Sequence, residues 1–237
     1  MEYLTSDGLN IYYKHVKGFK PCLVFIHGLA GSHESWTNQV NALKGYEQLI
    51  IDLRGHGSSS KPVNSSSYEF SKIVSDVKAI IKKEDVKDFI LLGFSMGGLV
   101  SLNVPGAKKV ILVNPVLGKE KFRSSFLLEA FISRYIPRGV LKKFQKTNEL
   151  FTYAGLLDAY ATMMLRTPSH VYLSIIKNFP SVSDLRTDYK PIIIYSNKDE
   201  IVKHAVIKNS GVHNIKGHHY VIVENHDIVT RLIKDAL

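Results

Sequence analysis

Two hydrophobic periods alternate along the chain. Short apolar runs rich in Ile, Val and Leu occur at "CLVFIHG", "QLIIDLRG", "DFILLGFS", "KVILVNPV" and "PIIIYSN". Their unbroken apolar character predicts strands buried on both faces. Helical spacing fills the intervals. In "SYEFSKIVSDVKAIIKKEDV", Phe70, Ile73, Val74, Val77, Ile80 and Ile81 fall on one stripe. Near the C-terminal end, Ile228, Val229, Leu232 and Ile233 do the same. Strand followed repeatedly by helix predicts an α/β fold with a mostly parallel sheet covered on both faces. The segments "EYLTS" and "NIYYKHVKG", either side of Asp7-Gly8, predict an antiparallel hairpin at one sheet edge.

One interval breaks the rhythm. Residues 117–189 contain no strand-like run and are far longer than an ordinary crossover. They are rich in Phe, Tyr and Met and punctuated by Pro137, Pro168 and Pro180. The expectation is a helical lid inserted into a core formed by residues 1–116 and 190–237. Met163 and Met164 are the first candidates for its pocket-facing side chains.

Composition changes this picture little. The chain's 237 residues suit one α/β domain with an insertion. No apolar run reaches the ~20 residues of a membrane span, and no leader pattern opens the chain, so a cytoplasmic location without stable membrane insertion is the expectation. The formal net charge of +10 raises the question of nucleic acid. The basic residues are scattered and no recognition motif accompanies them, so none is expected. Cys22, the single cysteine, reads as a small buried hydrophobe. No zinc-protease motif and no dinucleotide-binding glycine pattern occurs, so neither metal nor cofactor is expected.

The candidate chemistry begins at "GFSMG", where Ser95 follows a buried strand and has Gly93 and Gly97 two residues to either side. A serine on a sharp strand-to-helix turn needs small neighbours there, and the turn lifts its hydroxyl above the sheet's C-terminal edge. "HGLAGS" from His27 and "DLRGHGS" from Asp52 follow the two neighbouring strands. Together and in order, H-G-x-x-G-S, D-x-R-G-H-G-x-S and G-x-S-x-G-G resemble the α/β-hydrolase superfamily, in particular its lid-bearing serine esterase and lipase branch. The lid after the sixth strand and a late Asp and His extend the resemblance over nearly the whole chain.

The resemblance implies a Ser-His-Asp triad with Ser95 as nucleophile and Asp199, in "SNKDEIV", as the acid. Glu200 is the adjacent competitor. Relatives that place the acid after the sixth strand would use position 114, which here is Asn. Two histidines compete for the base. His218 follows Gly217, as the family's Gly-His pair would have it, whereas His219 stands five residues before Glu224, the family's usual distance to the last helix. The spacing favours His219. The resemblance also implies an oxyanion hole from the backbone N–H groups of Leu29 and Met96, and structural roles for His27, Asp52, Arg54 and His56.

The expected substrate is a small-molecule carboxylic ester of short or medium acyl length, with monoacylglycerol one natural candidate. Proline aminopeptidase, C–C bond hydrolase, lactonase and thioesterase activities on the same serine remain open alternatives. So does a non-catalytic ligand-binding protein on the same fold. A serine nucleophile excludes the aspartate-based epoxide hydrolases and haloalkane dehalogenases. The sequence leaves the oligomeric state open.

Overall fold

A computed structural model describes residues 1–121, 166–181, 187–205 and 207–237. Eight strands form one sheet among the described residues: β1 (Glu2–Leu4), β2 (Asn10–Val16), β3 (Phe19–Ile26), β4 (Tyr46–Ile51), β5 (Phe89–Phe94), β6 (Lys109–Val113), β7 (Ile192–Ser196) and β8 (Gly211–Ile215). Their order is β1-β2-β4-β3-β5-β6-β7-β8. β1 and β2 pair as the expected hairpin, and β2 joins β4 antiparallel. Every pairing from β4 through β8 is parallel.

Helices cover both faces because the central strands are apolar on both. On one face Val24, Ile26, Leu49, Ile51 and Leu91 pack with α2 (Phe70–Lys83), α3 (Met96–Leu102) and α4 (Ser169–Lys177). On the other, Leu23, Phe25, Leu92 and Ile111 pack with Val40 of α1 (Thr37–Ala42) and with α5 (Val221–Glu224) and α6 (His226–Ala236). The α2 stripe read from the sequence is the face that meets the sheet. Ile73, Val77 and Ile80 on it are almost wholly enclosed, so truncating one to Ala should cost roughly 2–5 kcal/mol. Past Lys83 the helix stops at Asp85, whose φ of 52° lies in the left-handed region.

Within the 117–189 interval, α4 packs on the core through Val171 and Ile175. Most of that interval, Met163 and Met164 included, lies outside the described residues. β8 is an addition to the sequence reading. Among the described residues it pairs only with β7, and its residues are mostly exposed, so it lacks the apolar run that marks a buried strand. No helix among the described residues is long and apolar enough to cross a membrane.

Candidate active site

The parallel strands β3, β5, β6 and β7 end at one edge of the sheet, and the loops leaving them converge there. β5 ends at Phe94, Ser95 makes the turn, and α3 begins at Met96. Ser95 has φ 53° and ψ −118°, a conformation costing a non-glycine residue on the order of 1–3 kcal/mol. Neighbouring bonds hold it there. Its N–H donates to the Val113 carbonyl at 3.0 Å, and its carbonyl accepts from Gly98 N–H at 2.9 Å and Val116 N–H at 3.1 Å. The flanking glycine is required by close approach. A Cβ on Gly93 would sit 2.5 Å from the Ser101 hydroxyl and 2.6 Å from the Gly97 carbonyl. Gly28 brings the loop after β3 equally close, since a Cβ there would be 2.9 Å from that of Ser95.

His219 lies in the loop between β8 and α5. Its Nε2 is 2.9 Å from Ser95 Oγ and its Nδ1 is 2.8 Å from Asp199 Oδ2. The imidazole packs against Phe94 at 5.1 Å and edge-on against Tyr220 at 5.3 Å between ring centroids. Both peptide groups of the residue are tied: His219 N–H donates to Glu200 Oε2 at 3.2 Å, and its carbonyl accepts from Asn114 Nδ2 at 2.8 Å. His218 points elsewhere. Its Nδ1 lies 3.0 Å from Glu224 Oε1 and its N–H donates to Glu224 Oε2 at 2.7 Å. The structure therefore brings His219, and not His218, to Ser95.

Asp199 sits just beyond β7. While Oδ2 faces His219, Oδ1 accepts from the N–H groups of Ile201 at 2.9 Å and Val202 at 2.8 Å. Burial alone would raise this carboxyl. The facing His219 and the two N–H donors outweigh it and hold Asp199 below the usual carboxylate range. Glu200 meets the backbone of His219.

Asn114 has a role that the sequence reading missed. Its Oδ1 accepts from Ser196 N–H at 2.8 Å, and its Nδ2 donates to Ser196 Oγ at 2.7 Å as well as to the His219 carbonyl. One amide thus joins the end of β6, the end of β7 and the histidine loop. The visible signal was its position, directly after the sixth strand, where some relatives place the acid.

The two glycine-rich loops are fixed by buried polar groups. His27 Nδ1 lies 2.7 Å from the Gly28 carbonyl, and its Nε2 accepts from Leu53 N–H at 3.0 Å. That pattern requires a neutral ring protonated on Nδ1, and burial lowers the His27 pKa accordingly. Burial, with His27 5.0 Å away, pushes His56 down to about 3. Asp52 accepts from the N–H groups of His33 at 2.5 Å and Ser58 at 2.9 Å. Arg54 spans Asp76 at 2.6 Å and Asp7 at 3.0 Å. Leu29 follows Gly28 in the loop beside Ser95, and Met96 opens the helix after it.

A family model described as alpha/beta hydrolase fold matches residues 21–159, more than half of the chain. The non-heme chloroperoxidase CPO-A1 of Kitasatospora aureofaciens is 36% identical over 96 residues, which is 40% of this chain and 34% of that protein. This chain thus spans about a third of that relative's length. A non-heme chloroperoxidase of Streptomyces lividans is 28% identical across 85% of this chain and 83% of its own. Among solved structures, the esterase EaEST of Exiguobacterium antarcticum superposes with a TM-score of 0.83 at 19% identity, covering 99% of this chain and 98% of that one. At that identity the likeness speaks for the fold. The family match and the sheet topology agree: the chain belongs to the alpha/beta hydrolase fold family.

Proposed function

We propose that the protein is a serine hydrolase of carboxylic esters. The reading rests above all on the continuous hydrogen-bonded line Ser95–His219–Asp199, whose two links measure 2.9 and 2.8 Å. A serine hydroxyl is a weak nucleophile until a base takes its proton, and the base needs an oriented, charge-stabilising partner. Asp199 Oδ2 holds the His219 proton on Nδ1, which leaves Nε2 free to accept from Ser95. Ser95 Oγ then bonds to the acyl carbon while its proton passes to Nε2. The same proton goes to the alcohol oxygen as the ester C–O bond breaks. Water, deprotonated by His219, releases the acid and restores the serine. The transient oxyanion is assigned to the N–H groups of Leu29 and Met96, the latter at the positive end of α3. Each such donor is worth on the order of 10²–10³ in rate.

An apolar acyl or alcohol group fits the Phe-, Tyr- and Met-rich composition of residues 117–189. We assign the pocket wall to that insertion, with Met163 and Met164 the first side chains to vary. The test is turnover of a chromogenic ester series by the parent and by Ser95→Ala. A loss on the order of 10⁴-fold or more is expected, and a variant keeping a tenth of the activity removes Ser95 from the chemistry. The relative that aligns over 85% of the chain carries the name non-heme chloroperoxidase, which makes peroxide-dependent halogenation a second reading. Measuring it on the same two proteins separates the readings.

A further inference from the structure

A second cluster of reactive side chains lies toward the opposite edge of the sheet, away from Ser95. It takes His15 from β2, Cys22 from β3, Glu47 from β4 and Glu84 from the residue that ends α2. The side chains of His15 and Glu47 are 2% and 3% exposed, and Cys22 is wholly buried. A donor atom from each of His15, Cys22 and Glu47 lies within 4.8 Å of the other two. His15 Nε2 is turned toward Glu47 Oε1 at 2.8 Å. Its Nδ1 faces Glu84 Oε2 at 2.6 Å, and Tyr13 donates its hydroxyl to the other Glu84 oxygen at 2.5 Å. Lys17 at 3.4 Å and Lys20 also reach Glu47, from side chains 74% and 51% exposed.

We propose that His15 Nε2, Cys22 Sγ and the Glu47 carboxylate form a zinc site, with Glu84 orienting the histidine. Two arguments carry it. Thiolate, imidazole and carboxylate together are a zinc donor set. A tetrahedral ion holds such ligands roughly 3.5 Å apart, so only small side-chain movements are needed, with Lys17 and Lys20 swinging into solvent. Secondly, a metal-binding histidine normally gives its other N–H to a carboxylate, and Glu84, itself held by Tyr13, stands at Nδ1. Cys22 Sγ releases its proton to solvent as the Zn–S bond forms, and nothing is oxidised or reduced.

The test uses the full chain, stripped with a chelator and titrated with zinc or cobalt(II). One cysteine is present, so any thiolate-to-cobalt charge-transfer band in the near ultraviolet reports Cys22. The expected result is one ion per chain together with that band. Cys22→Ser should abolish the band, and Glu84→Gln should keep it while weakening affinity about 10- to 100-fold. Absence of the band in the folded parent overturns the proposal without any variant. So does zinc binding that is unchanged in Cys22→Ser or lost instead in His219→Ala.

Discussion

Replacing Asp199 by Asn changes few atoms, yet its effect on turnover should be large. The reason lies in the two backbone donors. Ile201 and Val202 N–H both point at Oδ1, at 2.9 and 2.8 Å. An Asn side chain can keep those bonds only by placing its oxygen there, which turns its NH₂ toward His219 Nδ1. The reverse orientation would set an NH₂ against two N–H groups and lose both bonds, about 1 kcal/mol each plus the cost of burying them unpaired. The first orientation wins. It forces Nδ1 to accept and therefore puts the ring proton on Nε2, facing Ser95. A histidine in that tautomer cannot take the serine's proton. Misplacing this proton in other triads costs on the order of 10⁴ in kcat, about 5 kcal/mol of transition-state stabilisation. The assay is kcat/KM on a chromogenic ester, with thermal melts to verify that the variant is folded. Glu200→Gln, whose side-chain oxygen can still accept from His219 N–H, should stay within a few-fold of the parent. An Asp199→Asn enzyme within tenfold of the parent, or a Glu200→Gln enzyme as damaged as Asp199→Asn, would refute the reasoning.

The remaining predictions concern the base, its loop and the acid limit. His219→Ala should lose turnover on the scale of Ser95→Ala, whereas His218→Ala, whose ring faces Glu224 and not Ser95, should retain most of it; steady-state kinetics on the pair decides. Asn114→Asp would replace the donor to the His219 carbonyl by a buried negative charge, and the expected loss is at least about 2 kcal/mol of stability by urea unfolding together with lower kcat. Acid stability follows from carboxyls whose folded pKa values lie below their ordinary ones: Asp52 and Asp199 against 3.8, Glu47 and Glu84 against 4.5. Their contribution is fully present above those ordinary values and is lost as pH falls through the lower folded ones. Asp76, raised by burial despite Arg54, opposes the trend. The buried neutral His27 and His56, held below 6.5, act in the same direction as those four carboxyls from a higher pH. Melting temperature should therefore begin to decline below about pH 6.5 and fall further below about pH 4.5, and a profile flat to pH 3 would contradict these assignments.

How far the sequence could be read depended on whether a residue's role was local. Buried parallel strands announce themselves because both faces need apolar side chains, so β3 to β7 were legible as runs. β8 was not, since an edge strand with exposed residues carries no such run. Ser95 was legible for a similar reason. The demand for small neighbours acts at fixed offsets of two residues, and Gly93 meets it against Ser101 and Gly97 at 2.5 and 2.6 Å. The choice between His218 and His219 depended on register. Glu224 sets that register by holding both the N–H and the ring of His218, which turns the next side chain inward. Glu224 is the last residue of α5 and not part of α6, so the clamp on the loop comes from the short helix before the final one.

Asn114 marks the point where such reading stopped. As a residue type it said only that an acid was missing after the sixth strand. Its positive φ of 42° and its hydrogen bonds connect segments about 80 and 105 positions away in the chain, and no local pattern encodes partners that distant. Its chemistry still explains why an amide suits the position. The group must accept from Ser196 N–H and donate to Ser196 Oγ and the His219 carbonyl at once. A carboxylate could do the first and would repel the last. In the proposed triad the acid is Asp199, just beyond β7, and position 114 is left to hold the histidine loop by its backbone. On that proposal the same fold edge divides two tasks between two side chains, charge stabilisation of the imidazole at Asp199 and placement of its loop at Asn114.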